Sequence, residues 1–260
     1  MATLEFSEEA ARRLEVAYSS SDIRGQREEV LRRLALKPGE RVIDIGSGPG
    51  FLCESMAEVV GPTGHVLGVD VSADLIELAR KRNSRTWLEY ETTNAMALAV
   101  RDARFDAAVH MQVLEYLPDP DCAIREMARV LKPGGRALAV STDWDGVVWH
   151  SDNPEQMRKV LHAWEAHCTD PRLPRTLGAR LKAAGFSLTS VSGYPIINTR
   201  LGEDTYSDGI LHLIVDFAKR QQSINLDELQ TWADELRRLS DDGRYFFSTM
   251  RYLFMVTKPR

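Results

Sequence analysis

The 260-residue chain has only three cysteines, Cys53, Cys122 and Cys168, widely spaced and without a Cys-x-x-Cys pair. An odd, scattered set argues against a disulfide framework or a cysteine zinc site, and the expected compartment is the cytoplasm. No apolar run approaches the roughly 20 residues that a membrane-spanning helix requires. Residues 1–13 carry Glu5, Glu8 and Glu9 with no apolar centre, so they do not read as a signal peptide, and membrane insertion is not expected. Positive charge is not in excess either: 33 Lys and Arg stand against 38 Asp and Glu, a formal net charge of -5. Nucleic-acid phosphates are bound through clustered cations, so no nucleic-acid partner is expected. Internal repeats, low-complexity tracts and linkers are missing as well.

What the chain does have is alternation. With 43% hydrophobic and 27% charged residues it reads as a globular protein. Residues 7–18 read as an amphipathic helix ending near Tyr18, and Ser19 to Asp22 offer N-caps for a second helix through Val30, Leu31 and Leu34. Strands are expected at 41–45, 65–70, 87–91, 105–110 and 136–142, with helical patterns after most of them. That spacing predicts an α/β fold, a doubly wound and mainly parallel sheet with helices on both faces. Beyond it, helices are expected over 154–168, 173–184, 203–221 and 226–240, and strands over 186–194 and 245–257.

The stretch Arg41-Val42-Ile43-Asp44-Ile45-Gly46-Ser47-Gly48-Pro49-Gly50 leads from a buried strand through a glycine turn into a helix. In open sheets this layout receives a nucleotide-like ligand, because glycines let the backbone approach it. Asp44 is a carboxylate among strand apolars, which burial makes costly unless it is partnered. Asp70 ends the second strand, where a carboxylate can take both ribose hydroxyls. Asn94-Ala95 follows the third. The segments Phe105-Asp106-Ala107-Ala108-Val109-His110-Met111-Gln112-Val113-Leu114-Glu115-Tyr116-Leu117 and Arg129-Val130-Leu131-Lys132-Pro133-Gly134-Gly135-Arg136 complete the order.

These motifs, in this order, resemble class I S-adenosylmethionine-dependent methyltransferases of the small-molecule branch that includes the ubiquinone and menaquinone methyltransferases. The resemblance covers about residues 26–142, and the closing strand Tyr252-Leu253-Phe254-Met255-Val256 is similar to that fold's antiparallel edge strand. It implies a seven-stranded Rossmann-like sheet and one domain over 1–260. Residues 1–36 would supply lid helices, 37–142 the cofactor half, and 143–260 the acceptor half with helical insertions. It implies S-adenosylmethionine as cofactor and S-adenosylhomocysteine as product. Gly46, Ser47, Gly48 and Gly50 would cradle the methionine end, oriented by Asp44. Asp70 would hold the ribose, Val71 pack on the adenine, Asn94 and Ala95 meet its edge, and the Met111 backbone meet the amino group. Tyr18 and Arg27 would close over the ligand. Asn94 departs from the Asp common in relatives.

A nicotinamide-dependent dehydrogenase is the competitor within the fold, but Phe51 stands where its third glycine would be. Methyl transfer requires positioning and dehydration, with a base only for some acceptors. The segment from Ser141 to His150 holds two tryptophans, two aspartates and a histidine just beyond the fifth strand. It reads as an acceptor wall, with His150 or Asp143 as base and Trp144 and Trp149 as aromatic contacts. Glu115, Tyr116 and Tyr194 are further substrate-binding candidates. The expected acceptor is a small aromatic or amphipathic molecule. The alternative is a protein that binds S-adenosylmethionine without transferring methyl, as a sensor or assembly partner.

Overall fold

The computed structural model describes Tyr18 and residues 20–260. The expected first helix therefore lies, apart from Tyr18, outside the described residues. The elements run α1 (Ser21–Leu34), β1 (Arg41–Ile45), α2 (Phe51–Val60), β2 (His65–Asp70), α3 (Ala73–Arg82), β3 (Leu88–Thr92) and β4 (Phe105–Met111). There follow α4 (Pro120–Val130), β5 (Leu131–Thr142), β6 (Val148–Trp149), α5 (Pro154–Glu165), α6 (Pro174–Ala183), β7 (Ser187–Asn198), α7 (Tyr206–Gln221), α8 (Leu226–Asp241) and β8 (Phe247–Thr257).

One sheet holds all the strands, in the order β3-β2-β1-β4-β5-β8, with both β6 and β7 on β8. The pairs among β1 to β5 are parallel, and β8 runs antiparallel to β5. The strand that closes the chain is thus antiparallel, as its resemblance implied, but it is not the edge. β7 pairs along its whole length and covers its outer side. Pro195 is tolerated in β7 because an edge strand leaves half of its N–H groups unpaired. The count rises from seven to eight through β6, two residues that pair with the start of β8 beyond the end of β5. The expected fifth strand began at Arg136. The structure extends it back to Leu131 across a register shift between the Phe105 and Ala107 pairs.

Alternating side chains sort to the two faces of the sheet. Val42, Ala107, Val109, Leu138 and Val140 pack with α1, α2 and α3 on one face. Ile43, Ile45, Ala108, Ala137 and Ala139 pack with α4 and α6 on the other. A separate aromatic-rich cluster joins α5, α7 and α8 to Trp144, Trp149 and Phe247. Helix starts are set locally: Ser72 accepts from the Leu75 amide, Asp119 from Cys122, and Asn153 from Gln156. The strand order reverses direction between β1 and β4, so a crevice opens at their carboxyl ends, the ligand position of doubly wound sheets.

Candidate active site

The turn after β1 is shaped by glycines held at positive φ: Gly46 at 83°, Gly48 at 53° and Gly50 at 85°. Two of them are packed shut. A Cβ on Gly46 would lie 2.2 Å from Val113 Cγ2, and one on Gly50 would lie 2.4 Å from the Tyr90 hydroxyl. Gly48 is different, since a Cβ there would meet no atom within 4 Å. Its main chain borders open space at the start of α2, as a ligand cradle requires. The amides of Gly46 and Ser47 both donate to Val69 O, which ties the turn to β2.

Asp70 is joined directly to this turn. One carboxylate oxygen accepts from the Gly48 amide and the other from the Ser72 amide, each at 2.9 Å. Two backbone donors fix the plane of the carboxylate and leave its remaining lone pairs for hydroxyl donors. Val71, next along, is 73% exposed, an apolar surface held beside the site. Asn94 is exposed and its side-chain oxygen accepts from the Met96 amide at 2.9 Å. That bond shapes a turn with Ala95 inside it, so the amide group of Asn94 is partly committed to the backbone.

Asp44 is buried on β1, and the Cys53 thiol donates to one of its oxygens at 3.3 Å. The other oxygen has no partner among the described residues, nor does the Ser47 hydroxyl. Burial pushes the Asp44 carboxyl up to about 7, and the charge of Asp70 adds to it. Two orphan polar atoms beside the cradle suit a polar ligand end.

Arg27 donates from Nη1 to Tyr18 O at 2.6 Å, and its guanidinium lies 5.1 Å from the Phe51 ring centre. The Tyr18 hydroxyl is pushed up to about 12 by burial, with Tyr206, Asp70 and Glu115 raising it and Arg251 lowering it. Tyr18 thus stands between the Asp70 end of the crevice and a second polar group on the far side of β4.

That second group centres on Glu115. β4 ends at Met111, Gln112 turns the chain at φ 58°, and a short 3-10 turn over Leu114–Tyr116 follows. Glu115 is fully buried, and both of its carboxylate oxygens lack a hydrogen-bond partner among the described residues. Burial pushes it up to about 7; the Ser141 hydroxyl, nearby amides and Arg251 only moderate this. Its own carbonyl accepts from the Thr169 and Asp170 amides, which pins the loop after α5. Tyr116 meets the His167 ring edge-on at 5.7 Å, and burial raises its hydroxyl as well.

Arg251, on β8, is the residue that sequence reading missed. It is 2% exposed, donates to Gln26 Oε1 at 2.9 Å and Gln112 Oε1 at 2.7 Å, bonds Thr142 Oγ1, and lies 4.6 Å from the Tyr206 ring centre. No carboxylate lies within 4 Å of it among the described residues. The signal was available: Arg251 is the one charged residue among the aromatic and aliphatic residues of the closing strand, at a core-facing position.

Several expected acceptor residues are placed otherwise. Asp143 is held by Arg175 at 2.7 and 3.1 Å and caps the following turn, so its oxygens are engaged in an ion pair. His150 is exposed, bonded to Phe246 O through its amide, with no side-chain hydrogen bond among those described. Neither is held as a base: Asp143, only 11% exposed, is committed to Arg175, and His150 is exposed. Trp149 is buried against Trp232, Tyr245 and Phe247, an anchor and not a contact surface. Trp144 packs edge-on to Trp164 and His167, one layer behind Tyr116. Tyr194 pairs directly with Arg251 across β7 and β8 and lies against Gly25 of α1, among Asp22, Glu28 and Glu29.

A family model described as a methyltransferase domain matches residues 36–191. A ubiquinone biosynthesis O-methyltransferase of Xanthomonas axonopodis is 33% identical over 160 residues, 60% of this chain and 66% of that protein. An uncharacterized 37.1 kDa transposon protein of Streptomyces fradiae is 33% identical over 65% of this chain and 49% of its own length. The matched region thus spans half to two thirds of those curated relatives. Among solved structures, a Haemonchus contortus phosphoethanolamine N-methyltransferase 2 with S-adenosyl-L-methionine aligns at TM-score 0.63 and 19% identity, over 99% of this chain and 58% of that one. The [4+2]-cyclase SpnF aligns at 0.57 and 22% identity, over 90% and 80%. At such identities these two speak for the fold alone. The matched span holds the glycine turn, Asp70 and Glu115, and the chain belongs to the methyltransferase domain family, whose members bind S-adenosylmethionine.

Proposed function

We propose that this chain moves a methyl group from S-adenosylmethionine to a small-molecule acceptor of aromatic or amphipathic character. The observation that carries it is the Asp70 carboxylate, fixed by the Gly48 and Ser72 amides beside the open face of Gly48 at the carboxyl ends of the strands. Asp70 would hold ribose hydroxyls, Val71 the adenine face, Ala95 and Asn94 its edge. Gly46, Ser47, Gly48 and the Met111 backbone would take the methionine end, with the orphan oxygen of Asp44 available to its amino group. When bound, the cofactor supplies an electrophilic methyl. The protein then has to hold an acceptor in line with it and keep water away.

The acceptor would sit beyond β4 and β5, against Glu115, Tyr116, Tyr18 and Tyr206. Aromatic rings and a buried polar group at one end suit a molecule with an apolar body and a polar handle. Incubation with methyl-labelled S-adenosylmethionine and separate sets of aromatic hydroxyl, thiol and amine compounds tests this by mass spectrometry. Labelled product with at least one set is expected. Stable cofactor binding with no transfer to any set would favour a binding protein that does not catalyse.

A further inference from the structure

The acceptor end of the crevice holds two opposite buried charges that do not neutralise each other by contact. Glu115 is fully buried, and neither of its oxygens makes a well-formed hydrogen bond among the described residues, although the Ser141 hydroxyl and the Thr142 amide lie near. Arg251 is buried too, but it donates its hydrogen bonds to the neutral oxygens of Gln26, Gln112 and Thr142. An unpartnered buried carboxylate is costly, and a donor supplied by a ligand removes that cost. Resting on the methyltransferase reading, we propose that Glu115 is the proton acceptor for a weakly acidic hydroxyl group on the methyl acceptor, and that Arg251 is the positioning cation that favours the resulting oxyanion.

The choice of a hydroxyl follows from the charges. A protonated amine would bring a second cation beside Arg251, and a neutral amine needs no base before it attacks. A hydroxyl does need one, since its neutral oxygen is a poor nucleophile. In the step proposed, the acceptor O–H bond breaks, the proton passes to a Glu115 oxygen, and the electron pair stays on the acceptor oxygen. That oxygen forms the new bond to carbon as the sulfur–carbon bond breaks, and the sulfur leaves neutral. Glu115 then returns its proton to solvent. Burial holds Glu115 near neutrality, which keeps it basic enough for this task. The groups facing it are the Ser141 hydroxyl and Thr142 amide of β5, Arg251 from β8, Tyr206 from α7, Tyr18, Tyr116 of its own turn, and Cys168 of the loop after α5.

The probe is 4-nitrophenol, whose ionised form absorbs in the visible, titrated into the protein loaded with S-adenosylhomocysteine. Wild type is expected to bind it as phenolate at pH values where the free probe is mostly neutral. Glu115→Gln is expected to lose that band, and Glu115→Asp to recover part of it, with S-adenosylhomocysteine affinity unchanged in both. Any methylation of the probe should fall about 100-fold or more in kcat for Glu115→Gln, the lower end of what a positioned base contributes. If the loaded wild type fails to bind or ionise the probe, or if Glu115→Gln ionises it equally, the proposal is overturned and the cofactor site stands. If S-adenosylhomocysteine does not bind at all, the methyltransferase reading itself falls. Infrared titration of the Glu115 carboxyl band gives a readout that needs no acceptor, and a group that titrates in the ordinary carboxylate range would also overturn the proposal.

Discussion

The two halves of the crevice are built from different material. Around Asp70 the groups that matter are backbone: the Gly48 and Ser72 amides, the open face of Gly48, and the main chain at the end of β4. Around Glu115 they are side chains drawn from far apart in the chain, with Gln26 of α1, Gln112, Thr142 of β5, Tyr206 of α7 and Arg251 of β8 meeting in one network. A backbone cradle accepts one ligand shape across many sequences. A side-chain network can be rewritten by substitution, so it is where relatives with one fold can diverge in acceptor.

The contrast yields graded predictions. Trp149→Ala should cause the largest loss, about 3–5 kcal/mol of stability in chemical denaturation, because Trp149 is a packing anchor. Cofactor affinity per folded molecule should be unchanged, and a selective loss of acceptor turnover in a stable protein would instead make Trp149 a contact residue. Gly46→Ala should destabilise by about 3 kcal/mol, since it combines overpacking against Val113 with positive φ. Gly48→Ala should cost only about 1–2 kcal/mol in folding, yet weaken S-adenosylmethionine binding, because the new methyl group enters the cradle. Equal effects of the two substitutions on binding would erase the distinction between packed and open glycines. At the small end, His150→Ala should change stability by no more than about 0.5 kcal/mol and leave turnover intact.

A pH series sharpens the same comparison. In the folded protein Glu115 is raised from the ordinary 4.5 to about 7, so between those values the folded state holds more protons than the unfolded state. Its contribution is fully present below the unfolded pKa and is lost as pH rises through about 7. His110 and His167, lowered by burial to about 4, act in the opposite sense, adding stability as pH rises toward 6.5. The wild-type curve therefore mixes both. Glu115→Gln removes the first, so the variant should gain on wild type steadily as pH rises between 4.5 and 7. Parallel denaturation midpoints across that range would contradict a buried, unpartnered Glu115.

Most of the parallel sheet was legible because strand and helix periods, caps and glycine turns are local signals. Asp44, Asp70 and the glycines stood out for the same reason, each tied to a strand end. The edge was not legible: only pairing distinguishes β7 from β8, and both alternate alike. The acceptor loop misled because aromatic density near a strand end is the same signal whether the rings face a ligand or a helix. Trp149 meets Trp232, which lies 83 positions later and belongs to α8. Glu115 was named for its position after β4, but its burial depends on the packing of β5, β8 and the loop after α5. Arg251 was visible as an anomaly in an apolar strand, although its partners were not.

The most direct measurement is calorimetric titration of wild type and Asp70→Ala with S-adenosylmethionine and S-adenosylhomocysteine. Wild type should bind both, and the variant should bind each more weakly by about 1.5–3 kcal/mol, the size of lost hydrogen bonds to a charged group. No binding by a folded wild type, or equal binding by the variant, would contradict a cofactor held by Asp70.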